Sequence, residues 1–370
     1  MNTNSLIQVI LIVIIFFIAG MLVYNFVSVP IDLGDNVSEK TSGPFKIVKL
    51  NHSGFTYQEL EKNILSGGIR QDGIPPIENP VYLTAEEADD VLFDSDLVFG
   101  FNDGKGNVYA FPQNILVWHE IVNGNFGEVN ISITYCPLTG SVVGFVGHYL
   151  TIETTFGTSG KLLNSNLVMY DRDSGSFWPQ ILGKAINGDN VGQELEKVQL
   201  YWTFWQNWRD NNPTTKVLSE NTGFNRNYGL DPYGQDYYST GSPLFPVMSS
   251  SDLLPHKSVV IGIDYQNTQL AIQKNVIRYH KVINTNIANE NITIFFDEDL
   301  GVARVYKSKV NDIIYSFENI NGKFVDKETG EIWTVEGEST IGNLEPIVYF
   351  DVMWFAWVAY SPSTSLIIFE

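Results

Sequence analysis

The chain has 370 residues, with 22 Lys and Arg against 42 Asp and Glu, for a formal net charge of -20. That length suits two or three domains, and a 44% apolar content builds real cores rather than a disordered acidic polymer. A strongly negative chain repels phosphate backbones, so nucleic acid is not an expected partner, and the lone cysteine, Cys136, allows neither an internal disulfide nor a multi-thiolate zinc site.

From Ser5 to Val29 the chain carries no charged side chain. About 20 apolar residues cross a bilayer as a helix, whereas a signal peptide has a basic start and an apolar core of roughly 7–15 residues. Here the start is Met-Asn-Thr-Asn-Ser, so residues 1–29 are expected to form an uncleaved transmembrane anchor. Cleavage after Ala19-Gly20 is the alternative. Asp32, Asp35 and Glu39 precede the first lysine, Lys40, which suits export of the C-terminal side. Asn-x-Ser/Thr sequons at Asn36, Asn51, Asn130 and Asn291 permit glycosylation there. The expected location is the cell membrane, single-pass, with the rest of the chain outside the cytoplasm.

Residues 30–93 read as an N-terminal extension in which Thr84 and Glu87 form a capping box for a short helix. Residues 94–218 then open on two short strands, Leu97–Phe101 and Asn107–Phe111. A helix near Gln113–Val122 follows, with Leu116, His119 and Asn123 spaced to share one face. An alternating strand over Val129–Tyr135, a turn at Leu138–Gly140 and a hairpin turn at Asp171–Gly175 come next. A second short helix carries Trp205 and Trp208. Residues 219–256 form a Gly/Pro/Tyr-rich connecting loop, and long ordered loops are often functional.

Residues 257–370 repeat this order. QNILVWHEIVN, from Gln113, returns 161 positions later as KNVIRYHKVIN, from Lys274. NISITYCPLTGSV meets NITIFFDEDLGVA, and YDRDSGSFW meets VDKETGEIW. Trp205, Trp208 and Pro213 meet Trp354, Trp357 and Pro362. The fold class expected is β-rich α+β, as two degenerate tandem copies of one β-rich unit behind the N-terminal helix.

The segments GGIRQDGIPPIENP, VWHEIVN, TYCPLTGS, SNLVMYDRDSGSFWPQ, YGLDPYG and FAWVAYSP together resemble the family catalogued as domain of unknown function 3179, over roughly residues 57–370. The resemblance implies a secreted or membrane-anchored protein and no particular reaction. Many members read Cys-Pro-Leu-Cys where this chain has Cys136-Pro137-Leu138-Thr139, so a dithiol pair is absent here.

Asymmetry between the copies marks candidate function. Copy two has Asp297 in place of Cys136. A thiolate at a strand end could act as a nucleophile, with His119 as partner and Asn123 beside it. The same Cys136 and His119 with His148, and Met169 or Met248, offer soft ligands that suit copper. A buried, inert cysteine is the plain alternative. The hairpin Asp171–Gly175 is a turn, because its glycine comes too early for a calcium loop. Trp118 and the loop residues Tyr228, Asp231, Tyr233 and Tyr237 suit a small-molecule, glycan or protein ligand, or simple packing. Two readings stay open: a Cys/His thiol or metal centre in copy one, and a non-catalytic binding module.

Overall fold

The computed structural model describes residues 42–238 and 241–370. The expected membrane span lies outside these residues. Among them, no helix is long and apolar enough to cross a membrane. The described chain is β-rich with a few short helices, the α+β class expected.

Two five-stranded sheets organise it. The first runs Tyr201–Phe204, Leu97–Asn102, Val108–Pro112, Lys216–Leu218 and Tyr82–Leu83. The second runs Phe350–Met353, Val259–Tyr265, Thr268–Gln273, Ser365–Phe369 and Phe45–Lys49. In both, only the pairing of the third strand with the fourth is parallel. The segment before residue 94 supplies the outer strand of each sheet, and Leu65–Ser66 edges a third. The Thr84–Glu87 capping box forms and starts the helix Ala85–Ala88.

Each sheet is followed by a helix and a three-stranded meander. In the first half these are Gln113–His119, then Ile121–Phe126, Val129–Cys136 and Ser141–Val146. In the second they are Lys274–His280, then Val282–Ile287, Glu290–Asp297 and Val302–Lys307. The helix is shorter than its sequence pattern suggests. Glu120 turns left-handed, with φ of 58°, and its N–H caps Leu116. Asn123 therefore lies in a strand, off the helix face that carries Leu116 and His119. No glycine announces this stop, which is the usual signal for a left-handed cap. Lys281 makes the same turn at φ of 64°.

Apolar surface is buried where the halves meet. Leu138 and Val143 of the first half share one core with Met353 and Trp354 of the second. Reciprocally, Leu300 and Val302 of the second pack with Trp205 and Trp208 of the first, and the Thr203 hydroxyl donates to the Leu300 carbonyl. Each sheet also carries a tryptophan lying flat on a glycine. Trp208 covers Gly100 and bonds Thr215, at 3.0 Å; Trp357 covers Gly262 and bonds Thr364, at 3.0 Å. A Cβ at either glycine would fall inside the indole. Gly100→Ala and Gly262→Ala are each expected to cost about 1–3 kcal/mol by overpacking. Urea midpoints unchanged from wild type would contradict this.

Candidate functional site

His119 ends its helix fully buried, and both ring nitrogens are engaged. Its Nδ1 lies 2.8 Å from the Pro75 carbonyl and its Nε2 2.7 Å from the Tyr228 hydroxyl. A carbonyl only accepts, so Nδ1 carries the proton and Nε2 accepts from Tyr228. Tyr228 in turn sits 2.6 Å from the Thr222 hydroxyl. Burial lowers the His119 pKa, which keeps this neutral tautomer. Asn123 bonds neither His119 nor Cys136. It holds the Phe156 backbone from both sides, at 2.9 and 3.2 Å, and accepts from Ser132 at 2.6 Å.

Cys136 is fully buried at the end of its strand. The Leu167 N–H donates to its sulfur at 3.3 Å. Burial, then the nearby Glu120 carboxylate, pushes the thiol up to about 12. Such a thiol is protonated at neutral pH, and no imidazole contacts it. The expected Cys136–His119 nucleophile pair is therefore not assembled in this state, because His119 is committed to Pro75 and Tyr228.

The copper set is likewise dispersed. His148 is exposed on a small hairpin opposite Glu153, while Met169 is core. Among the described residues no group of three or more His, Cys, Asp or Glu side chains could hold a metal ion. The hairpin register turns His148 outward, and sequence spacing alone did not reveal it.

What the fold does gather is a largely buried cluster formed between the connecting segment and the first half. Glu120, 5% exposed, has no hydrogen bond to its carboxyl among the described residues, and burial pushes it up to about 8. Tyr233 feels burial first, then the charges of Glu120 and Cys136, and its pKa stands well above the ordinary range. The Tyr237 ring lies 5.8 Å from that of Tyr233, and its hydroxyl donates to the Leu138 carbonyl at 2.6 Å. Lys257 donates to the Tyr237 carbonyl with its ammonium 3.5 Å from the ring centroid; burial holds it down to about 8. Asp231 is raised by burial and caps the Tyr233 N–H at 2.8 Å.

The connecting segment is tied down along its length. Besides Tyr228 and Tyr237, the Trp118 indole donates to the Leu230 carbonyl at 3.0 Å, and Arg226 lies over that indole. Ser165 exchanges two bonds of 3.0 Å with the Phe245 backbone. Thus Trp118, Tyr228, Asp231 and Tyr233 act first on the protein itself.

A family model described as protein of unknown function, DUF3179, matches residues 71–364. The chain belongs to the DUF3179 family. No curated protein and no solved structure matches it. The matched span takes in both halves of this DUF3179 protein and the whole buried cluster. Where the resemblance places a second cysteine, Thr139 sits in a hydroxyl network, 2.8 Å from Ser141.

Glu120 and Lys257 were not among the residues expected from sequence. For Glu120 a signal was present: it aligns with Lys281, which ion-pairs outward with Glu298. The left-handed turn is common to both halves, so only the side chain distinguishes them. Folding raises the Glu120 pKa from about 4.3 to about 8. The folded state thus keeps a proton that the unfolded chain releases, and stability falls as pH rises through that window. His119 acts in the opposite sense below about 6.5, and Lys257 above about 8. Between pH 6.5 and 8, Glu120→Gln is expected to remove a loss of up to about 2 kcal/mol. Parallel pH profiles for variant and wild type would refute the assignment.

Proposed function

We propose that this chain is a single-pass membrane protein whose described part lies outside the cytoplasm and binds a ligand in its first half. The charge-free run Ser5–Val29 and the acidic residues after it support the location. The matched element order supports descent of both halves from one unit. The second half then serves as scaffold, and the first carries the site.

One observation carries the binding reading. The segment 219–256 seats on the first half over the largely buried Glu120 carboxyl, which has no hydrogen-bond partner among the described residues. A fully buried group left unsatisfied costs about 1–3 kcal/mol, and a ligand donating a hydrogen bond or bearing an ammonium group would relieve part of that cost at Glu120. The segment is then a cover that gives way to that ligand. The protonated thiol and the engaged imidazole favour binding over thiol catalysis. A second reading, acid–base catalysis by Glu120, is favoured by its pKa near neutrality.

Alkylation of Cys136 tests the cover. Wild type is expected to react far more slowly than the unfolded chain. Tyr228→Phe combined with Tyr237→Phe is expected to react about thirtyfold faster, the two substitutions together deleting hydrogen bonds of about 2 kcal/mol. Wild-type reactivity equal to that of the unfolded chain would remove the cover, and so would rates unchanged in the double variant. For the location, protease added outside intact cells should digest the folded part; full protection would place it inside.

A further inference from the structure

A groove of about 450 Å³ lies between the halves and shares no residue with the covered cluster. Its walls are the strand-like segments 194–197 and 345–348, with Asp264, Tyr265 and Lys307 beside them. The walls occupy corresponding places. The Val146 N–H donates to the Glu196 carbonyl at 2.9 Å, and the Lys307 N–H donates to the Glu345 carbonyl at 2.8 Å. Lys197 therefore stands where the second half has Pro346. One wall carries an amine and the other cannot. The backbone is already engaged, since the Leu195 N–H donates to the Gly183 carbonyl at 2.8 Å. Side chains therefore carry the chemistry of the groove.

Lys197 is half-buried, and its amine has neither a hydrogen bond nor an ion pair among the described residues. Its side chain lies beside Gly183 and Phe145. A Cβ on that glycine would stand 3.4 Å from the amine and 3.0 Å from the Phe145 ring. The neighbouring cations are committed elsewhere: Lys184 to Glu194, at 3.2 Å, and Lys307 to Glu345, at 2.5 Å. Burial holds Lys197 below the ordinary lysine range, against the pull of Asp264 and Glu194 and with the push of Lys184. An unpaired, desolvated lysine amine lining a groove is a nucleophile suited to carbonyl compounds.

The other groups select the carbonyl compound. Glu196 and Asp264 line the groove without an ion pair among the described residues, and Asp264 accepts from Gln269 at 2.9 Å. Carboxylates keep acceptor sites for ligand hydroxyls and repel anions. We propose that the groove binds a small hydroxylated aldehyde bearing no negative charge and holds it as a Schiff base on Lys197. The amine lone pair bonds the aldehyde carbon, and the C=O π pair moves to oxygen. One amine proton follows it, giving a hydroxyl. That hydroxyl takes a second proton, supplied by solvent, and leaves as water while the nitrogen lone pair forms C=N. A cationic iminium then stands where the amine was, and Glu196 and Asp264 offset its charge.

The test uses the full-length chain in detergent, glyceraldehyde as the probe and cyanoborohydride to trap the imine, with each lysine read by peptide mass mapping. At about pH 7 Lys197 is expected to label about tenfold faster than the exposed Lys105 and Lys323, and above about pH 10, where ordinary lysines lose their protons, that advantage is expected to vanish. The Lys197 rate is expected to saturate with aldehyde concentration, while theirs rises in proportion. Glyceraldehyde 3-phosphate offers the same aldehyde with a negative charge and is expected to label Lys197 about tenfold more slowly. Lys197 labelling no faster than Lys105 at about pH 7 would overturn the proposal. A Lys197 rate strictly proportional to concentration would leave amine reactivity without a binding site, and faster labelling by the phosphate ester would make the groove an anion site; either result also overturns it.

Discussion

The structure depends on the reciprocal seating of one half's meander on the other half's sheet. Leu138 and Val143 bury against Met353 and Trp354, while Leu300 and Val302 bury against Trp205 and Trp208. Gly140 must stay small at this junction, because a Cβ there would come within 3.1 Å of the Met353 methyl. The packing closes the core around Cys136 from the far side and leaves the connecting segment to close it from the near side. It also brings the two strand-like walls of the groove opposite each other. The covered cluster and the groove are thus both products of one interface.

Within that frame the two halves use the same backbone for different chemistry. Glu120 and Lys281 occupy equivalent left-handed turns after equivalent helices. Lys281 reaches outward to Glu298. Glu120 is sealed inside, and its proton balance then shifts by burial alone. Cys136 and Asp297 differ in the same way: one is an apolar-environment thiol, the other an acid bonded by Arg304 at 2.8 Å. The first half holds a largely buried polar cluster where the second holds ion pairs, and the connecting segment packs against it.

Much of this was legible in the sequence. The strands around Leu97 and Val129, the capping box at Thr84 and the turn at Asp171 follow from local propensity, and local signals are what a sequence states most directly. The length and composition of 219–256 marked it as more than a linker. The rest was hidden for physical reasons. Glu120 reads as a surface charge, since charged residues are seldom fully buried. The end of the helix at His119 was masked because a non-glycine residue takes the left-handed turn. Cys136 and His119 are close in sequence, but the partners that occupy them, Leu167, Pro75 and Tyr228, are not.

The strand Phe45–Lys49 pairs along its whole length with Ser365–Phe369. Its partner is among the last residues of the described chain to be made. The strand therefore waits unpaired until that partner is made, and loop closure over so long a separation is slow. Until then the protein would present an open sheet edge, the kind of surface that invites chaperones or neighbouring chains. A chain cut short before Ser365 could not hide that edge, so the pairing itself separates a chain made through Phe369 from a truncated one.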